Sequence, residues 1–380
     1  MTKLLLLPVL LASLVVPAAP SVRVEPAEQV AGRSVRFWAR GFPARQPGVV
    51  QIAGIQARSF RTGPAGGFAG WVRVPASAPV GETTFRVTVA EVSVTTGFRV
   101  LAAPDPVRPG PSNTGFRVPV SELTEVGSPG RCVFASELGV PAGGTLSKVR
   151  VRGILALDRP NVRVVDSWLE EGVRVILGCG IGGAGVGAVI EHNRIGPPAG
   201  RTLPPGTNAI GDGGFAARWN DIYGFEDGCR CNGNVVFEHN WVHDLLAGPD
   251  AHNDAVQLTD NGDPAAGWGG PTYIRFNALE NRFTQTGAVT LGADTGPVRW
   301  PVIIEGNWLS GGGYTLYGGW SADPAMDPVD VRIIGNVWER TFFPCSGAYG
   351  PVIYLPRVHT WGPGNRWADG SPMVPSPNAC

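Results

Sequence analysis

The stretch Val235-Val-Phe-Glu-His-Asn-Trp-Val242 contains the pattern that decides the fold of this chain. A run of β-strand formers leads to an asparagine, one variable residue follows, and a large apolar residue comes next. The pattern occurs again in residues 189–195, 302–309 and 331–338. The marker positions of all the occurrences are Ser167, Asn193, Asn220, Asn240, Asn281, Asn307 and Asn336, with Asn365 as a last, weaker one.

The spacing of these markers predicts a stack of similar coils. Neighbouring markers lie 20 to 29 residues apart, except for an interval of 41 between Asn240 and Asn281, which we interpret as two coils with one marker missing. A strand-rich repeat of this length without helical periodicity predicts a right-handed parallel β-helix, in which each coil buries its inward residues only against its neighbours. Each asparagine is expected to take a partly left-handed turn and to hydrogen-bond the asparagines of adjoining coils.

Composition limits the classes of function. The 380 residues include 54 glycines and 35 prolines, yet 43% are hydrophobic and 12 are tryptophan, which is too apolar for a disordered chain. Lys and Arg (31) balance Asp and Glu (31). Because no basic field is available to neutralise phosphates, nucleic-acid binding is not expected.

The first residues predict the compartment. Lys3 is followed by an apolar run from Leu4 to Val16 and by small residues up to Ala19, as in a secretory signal peptide spanning residues 1–19. The run is shorter than the roughly 20 residues of a membrane span. We therefore expect a secreted, extracellular protein with no membrane span, and a monomer.

Cysteines in an exported chain favour disulfides. The chain has six of them: Cys132, Cys179, Cys229, Cys231, Cys345 and Cys380. Cys229 and Cys231 are expected to lie too close together to bridge each other, so each should have a distant partner. A metal site at this Cys-Arg-Cys stretch is disfavoured, because structural zinc sites have about two to four intervening residues.

The chain is predicted to have two folded parts. Residues 20–101 alternate short strands with Gly/Pro turns, which predicts a small β-sandwich. This part resembles bacterial immunoglobulin-like modules through Val24-Glu-Pro26 and Gly41-Phe-Pro43, and the resemblance implies a spacer or attachment role. Residues 102–113 form a proline-rich linker, and residues 114–380 form the β-helix. The predicted fold class is all-β.

The repeat region resembles the pectate-lyase-like right-handed β-helix proteins, most closely exported proteins of actinobacterial type. Besides the asparagine repeats, the resemblance rests on Thr114-Gly115, on His252-Asn-Asp-Ala-Val-Gln257 and on residues 345–351 and 365–372. It implies a fold shared by lyases, hydrolases, epimerases and proteins without catalysis. Lyases of this fold often bind Ca²⁺ on an Asp cluster, but no calcium-loop sequence is present, so neither a metal site nor another cofactor is predicted.

Titratable groups crowd together in one part of the repeat. His243, Asp244, His252 and Asp254 lie within twelve residues, and we predict that they form the catalytic centre of a solvent-open cleft. The alternative is that His252 and Asp254 hydrogen-bond the turn backbone, as residues of Asx turns do.

A row of polar side chains is predicted beside this cluster. Aligning residues 255–258, 288–291, 313–316 and 352–355 with a period of two places the leucines inward and Gln257, Thr290, Thr315 and Tyr354 outward. Exposed aromatic residues such as Tyr314, Tyr317 or Trp320 could stack on sugars, and Arg275 is a further candidate for substrate binding. These features predict a carbohydrate-active protein whose partner is an extended polysaccharide.

Three activities remain open. Hydrolysis needs two carboxylates, which Asp244, Asp250, Asp254 or Asp260 could supply. β-Elimination from a uronate needs a base, for which His252, Arg275 and Arg282 are the candidates. The third possibility is a non-catalytic protein that binds polysaccharide or displays the β-helix at the cell surface.

Overall fold

The chain divides into two compact units, Met1–Asp105 and Pro106–Cys380. The computed structural model describes residues 19–380 except 31, 76, 77, 80, 102–106, 247, 249, 250, 263–266, 294, 321, 322, 324, 325, 327, 329, 356–359, 363 and 379. All but the last residue of the predicted signal peptide, and the candidate acid Asp250, thus lie outside the described residues.

The first unit consists of two packed sheets. A three-stranded antiparallel sheet has the order β1-β3-β6, and a five-stranded sheet has the order β2-β8-β7-β4-β5. The strands are β1 (Ser21–Glu25), β2 (Glu28–Val30), β3 (Ser34–Arg40), β4 (Pro47–Ile52), β5 (Ile55–Arg61), β6 (Phe68–Arg73), β7 (Gly81–Val89) and β8 (Val92–Leu101). Alternate residues point inward, and Phe37, Phe85 and Phe98 meet in the buried core.

The second unit is a parallel β-helix with three long sheets, so the predicted all-β fold class is confirmed. Sheet I contains β10 (Cys132–Phe134), β13 (Ile154–Ala156), β16 (Val173–Arg174), β19 (Asn208–Gly211), β22 (Asp227–Arg230), β25 (Val256–Leu258), β28 (Val289–Gly292), β31 (Tyr314–Trp320) and β34 (Gly350–Ile353). Sheet II contains β11 (Thr145–Ser147), β14 (Arg163–Val165), β17 (Ala188–Glu191), β20 (Phe215–Arg218), β23 (Val235–Glu238), β26 (Thr272–Arg275), β29 (Val302–Glu305), β32 (Val331–Ile334) and β35 (Thr360–Trp361).

Sheet III completes each coil. It contains β9 (Thr124–Val126), β12 (Val149–Val151), β15 (Trp168–Leu169), β18 (Arg194–Ile195), β21 (Asp221–Tyr223), β24 (Trp241–His243), β27 (Ala278–Asn281), β30 (Trp308–Gly311), β33 (Val337–Trp338) and β36 (Arg366–Trp367). A short 3₁₀ turn, Val120–Glu122, precedes β9. No helix among the described residues is long and apolar enough to cross a membrane.

A ladder of buried polar side chains, seven asparagine amides and one serine hydroxyl, joins the coils between sheets II and III. Its members are Ser167, Asn193, Asn220, Asn240, Asn277, Asn307, Asn336 and Asn365. Asn240 shows the repeated geometry: its Oδ1 accepts the backbone N–H of Asn220 at 3.0 Å and the amide of the same residue at 2.8 Å. The Nδ2 of Asn240 donates in turn to Ala217 O at 3.0 Å. The predicted stacking of marker residues is therefore confirmed.

One member of the predicted ladder was wrong. Asn277, and not Asn281, accepts from the backbone N–H of Asn240 at 2.9 Å. Since β23 pairs directly with β26, the interval between the two markers is a single long coil, and no marker is missing. Asn281 ends β27 instead, where it is buried and its Nδ2 donates to Gly287 O at 3.0 Å.

The left-handed position also differs from the prediction. The residue before each ladder asparagine has the positive φ: His192 (54°), Trp219 (56°), His239 (59°) and Phe276 (57°). This turn leaves the asparagine free to direct its amide under the neighbouring coil. The four rings stack on the outside of the turns, with centroids 6.3, 4.3 and 5.3 Å apart along the column. Ring contact offsets part of the cost of a left-handed L-residue.

All six cysteines are paired, as expected for this chain, but the partners of two differ from the prediction. The disulfides are Cys132–Cys179, Cys229–Cys231 and Cys345–Cys380. Cys229 and Cys231 do bridge each other, because residues two apart on a strand share one face and their Cα atoms lie 5.4 Å apart, within the range that a disulfide spans. Both are buried in the core of the β-helix. No metal-binding group of His, Cys, Asp or Glu occurs in the described part of the chain.

The amide ladder predicts a large cost for Asn240→Ala. The substitution leaves the N–H of Asn220 and carbonyls that accept from Asn240 without partners inside the core, which should lower the free energy of unfolding by about 2–4 kcal/mol. Urea denaturation measures the loss. Asn378→Ala, at an exposed asparagine of the C-terminal tail, should change stability by less than about 0.5 kcal/mol. Equal effects of the two substitutions would contradict the ladder account.

The Cys229–Cys231 pairing can be mapped by trypsin, because Arg230 lies between the two cysteines. Digestion of the unfolded, unreduced protein should leave the peptides 219–230 and 231–275 joined, and reduction should separate them. Mass spectrometry identifies the linked pair. A cross-link from either peptide to one containing Cys132 or Cys380 would disprove this pairing.

Candidate functional site

The outward face of sheet I carries a row of side chains from consecutive coils. Backbone pairing aligns Arg230, Gln257, Thr290, Tyr317 and Ile353 in that order. All are half-buried, while the alternate positions, such as Val256 and Val289, fill the core. Since adjoining strands lie about 4.8 Å apart, the row presents one side chain per step along the axis of the β-helix.

Two of the predicted row members lie elsewhere. Val289 pairs with Leu316, so β31 is displaced by two residues from the sequence alignment, and Tyr317 occupies the position expected for Thr315. Thr315 is fully buried and its Oγ1 lies 2.9 Å from Ser346 Oγ. Tyr354 comes after the end of β34, where its φ of 50° turns the chain. Gln257 and Thr290 are placed as predicted.

Four tyrosines cluster at one end of this row. Tyr314 lies 5.7 Å from Tyr317 and 6.0 Å from Tyr349, and Tyr317 lies 6.3 Å from Tyr354, measured between ring centroids. Tyr349 and Tyr354 are 64% and 49% exposed. Partial burial raises the pKa of Tyr317, so its hydroxyl stays protonated at neutral pH. The cluster therefore offers flat ring faces together with hydroxyl donors.

A pair of buried carboxyl groups lies behind the row. Asp227, the first residue of β22, and Asp254, two residues before β25, occupy matching positions in consecutive coils, and Asp227 Oδ1 accepts the backbone N–H of Asp254 at 3.1 Å. Asp254 Oδ1 accepts the N–H of Gly287 at 3.0 Å and the hydroxyl of Thr290 at 2.5 Å. The Oδ2 of Asp254 is buried with no hydrogen-bond partner among the described residues. The buried Asp254 thus positions Thr290, a member of the row, through the Thr290 hydroxyl.

Burial controls the ionisation of this pair. Burial, together with the nearby charge of Asp254, raises the pKa of Asp227 to about 8. Burial likewise raises the pKa of Asp254 to about 7, against the opposing hydrogen bonds from Thr290 and Gly287. Glu226 adds negative charge to both, and Arg230 acts in the opposite direction on Asp227. At least one proton is therefore retained by the pair at neutral pH.

The four predicted catalytic residues do not form one solvent-open centre. Asp254 is fully buried, which contradicts its placement at the surface of a cleft. The alternative of purely backbone bonding fails too, since Asp254 also bonds the Thr290 hydroxyl. His252 is exposed, and its backbone N–H donates to Glu226 Oε1 at 3.3 Å.

His243 belongs to a different sheet, at the end of β24. Its Nε2 lies 2.9 Å from Asp221 Oδ1 and its Nδ1 lies 2.8 Å from Asp244 Oδ2. Burial alone would lower the pKa of His243, but the hydrogen bonds to the two carboxylates outweigh it and raise the pKa. The ring also stacks on Trp241, with centroids 3.5 Å apart. Both ring nitrogens are thus already occupied by acids of the chain.

Arg275 lies on the outward face of sheet II. There it ends β26 and pairs with Glu238 at 2.7 Å, in a row where Arg218, Glu238, Arg275 and Glu305 alternate in charge. It is therefore separated from the row of sheet I, with which it was expected to act.

Sequence reasoning missed two contributors, Asp227 and Tyr349. A signal for Asp227 was available, because Asp227-Gly-Cys-Arg230 and Asp254-Ala-Val-Gln257 begin consecutive strands of sheet I in the same way. Tyr349 follows an isolated bridge in the turn before β34 and carries no local pattern that would mark it.

Comparisons with protein-family models, curated proteins and solved structures find no match to this chain. The parallel β-helix and the geometry of its surfaces are therefore the basis for assigning a function.

The Asp227–Asp254 pair predicts that stability falls as pH rises. The pKa values of both carboxyl groups are raised in the folded state. Their contribution to stability is therefore fully present below the ordinary pKa range of Asp, and it is lost as pH rises through about 7 to 8. Between pH 5 and 9, the free energy of unfolding should fall less steeply with pH in Asp254→Asn than in wild type. The two slopes should differ by up to about 1.4 kcal/mol per pH unit, the effect of one proton.

Urea denaturation at several pH values measures this slope. Asp369→Asn is the control, because hydrogen bonds from Ser371 lower the pKa of that exposed group to about 2, far outside the window. Parallel stability curves for wild type and Asp254→Asn would contradict the shared-proton interpretation.

Proposed function

We propose that this protein is a secreted, carbohydrate-active β-helix protein that binds an extended polysaccharide along the outward row of sheet I. The observation that carries the proposal is the continuity of the polar row Gln257, Thr290 and Tyr317 with the exposed rings of Tyr349 and Tyr354. Aromatic faces stack on the apolar faces of sugar rings, and flanking polar groups bond the hydroxyls.

The repeat of the fold suits a repeating ligand. Successive row members are one strand spacing apart, about 4.8 Å, so similar contacts recur along the axis as sugar units recur along a chain. Arg230 begins the row, where its Nε donates to Gln257 Oε1 at 3.2 Å, and thereby fixes the amide that faces the ligand. An elongated binding surface follows from this arrangement.

Binding is better supported than turnover. Hydrolysis needs two carboxyl groups on either side of the scissile bond, and Asp254 is too deeply buried to contact one without a rearrangement. His243 is held between Asp221 and Asp244, so it is poorly placed to act as a base. A lyase or glycoside hydrolase remains the second candidate, favoured by the exposed His252 beside Glu226.

An extracellular location agrees with the cysteine chemistry. Three disulfides are typical of an oxidising compartment, and the predicted signal peptide would direct the chain there. The N-terminal sandwich would then act as a spacer or attachment module.

The proposal predicts retention by a polysaccharide and loss of affinity in Tyr354→Ala. Binding to a panel of neutral and acidic polysaccharides is measured by affinity electrophoresis, and removal of an exposed aromatic contact should weaken it at least about fivefold. Trp71→Ala, at a 58% exposed aromatic residue of the N-terminal sandwich, is the matched control and should bind like wild type.

Turnover is tested on the same panel by the absorbance of unsaturated products and by new reducing ends. Unsaturated products indicate elimination, and reducing ends alone indicate hydrolysis. Failure of the wild-type protein to bind or convert any polysaccharide would exclude the proposed function.

A further inference from the structure

A small open pocket lies just after the C-terminal ends of β25 and β28, two neighbouring strands of sheet I. It has a volume of about 300 Å³ and is lined by Asp260, Trp268, Thr295 and Arg299, together with neighbouring Gly and Pro residues. This volume is at the lower limit for ligand pockets, roughly 300 Å³, and suits a single ring better than a chain.

The pocket is joined to the row through a short stretch of backbone. Gln257 of the row is followed after β25 by Thr259 and Asp260. The hydroxyl of Thr295 lies 2.9 Å from Thr259 Oγ1 and donates to Asp260 Oδ2 at 2.5 Å. The pocket therefore begins three residues after Gln257 of the row, at Asp260.

Two glycines allow the backbone to pack closely against the indole of Trp268. A Cβ atom on Gly213 would lie 3.0 Å from Cε3 of this ring, and one on Gly262 would lie 2.5 Å from it. Trp268 also packs against the core of the β-helix and is only partly buried. The ring is thus fixed by two close backbone turns while it lines the pocket.

The polar groups of the pocket are also preorganised. Asp260 accepts the N–H of Gly262 at 2.9 Å through Oδ1 and the Thr295 hydroxyl through Oδ2, which leaves each oxygen a further lone pair. The backbone N–H of Arg299 donates to Asn261 Oδ1 at 2.7 Å. Arg299 is exposed and lines the pocket. Asp260 and Arg299 therefore both line the same space.

We propose that this pocket binds one neutral pyranose unit, a branch or terminal residue of the polysaccharide held along sheet I. Trp268 stacks on the apolar face of the ring, Asp260 accepts from its hydroxyls, and Arg299 donates to them. A neutral sugar is favoured because, among the described residues that line the pocket, the one cation is matched by a carboxylate, which would repel an acidic unit. The inference rests on the proposed function, since the row supplies most of the binding surface.

Isothermal titration with the methyl pyranosides of glucose, galactose, mannose and xylose tests the pocket, with galacturonic acid as the acidic comparison. A neutral pyranoside should bind, and Asp260→Asn and Arg299→Gln should each weaken it at least about tenfold, the effect of losing a charged hydrogen-bond partner. Trp268→Phe keeps an aromatic ring against the core and should retain part of the affinity. Trp300→Ala, at a nearby tryptophan that does not line the pocket, should bind like wild type.

The same variants are then compared for binding of the polysaccharide. Weaker binding by the Asp260 and Arg299 variants supports the inference. If Tyr354→Ala loses the polysaccharide while both pocket variants keep wild-type affinity for it and for every pyranoside, the pocket proposal is wrong and the row proposal stands. A wild-type protein that binds no carbohydrate refutes both, and preference for galacturonic acid refutes the neutral-sugar assignment.

Discussion

Hydrogen bonding between buried side-chain amides is the constraint on which the rest of the β-helix depends. At each turn between sheets II and III, an asparagine accepts the backbone N–H of the preceding coil and donates to a carbonyl of that coil. Each bond would be costly to leave unmade in the core. The ladder therefore fixes the register of successive coils, and a fixed register is what aligns side chains into rows on the outward faces.

The register also explains why unlike surfaces arise on one repeating scaffold. Sheet II presents alternating Arg and Glu side chains that pair with one another, as in Arg218–Glu238 and Glu238–Arg275. Sheet I presents the uncharged side chains of Gln257, Thr290 and Tyr317, of which Gln257 accepts from Arg230 and Thr290 donates to Asp254. Sheet II thus satisfies its own charges, whereas sheet I presents uncharged polar groups and, at one end, exposed ring faces.

The repeat made most of the fold predictable, and its exceptions show where sequence reasoning ends. Leu279-Glu-Asn281 resembles the marker pattern as closely as Arg275-Phe-Asn277 does, and only strand pairing across the long coil decides between them. The two-residue displacement of β31 comes after Gly311 and Gly312, whose positive φ values of 90° and 84° a period-two alignment cannot detect. The Cys229–Cys231 bridge depends on local backbone geometry that brings the two Cα atoms to 5.4 Å. Burial of Asp254 was equally invisible, because it is set by the coils on either side of it.

The central claim is that carbohydrate binds at the tyrosine end of the sheet I row. Hydroxyl-radical footprinting with and without a saturating polysaccharide tests it most directly, because Tyr349 and Tyr354 are exposed and readily oxidised. The account predicts that the ligand protects both tyrosines, while oxidation of Trp71 in the N-terminal sandwich is unchanged. Oxidation of Tyr349 and Tyr354 at the ligand-free rate, in a protein shown to be saturated with polysaccharide, would contradict it.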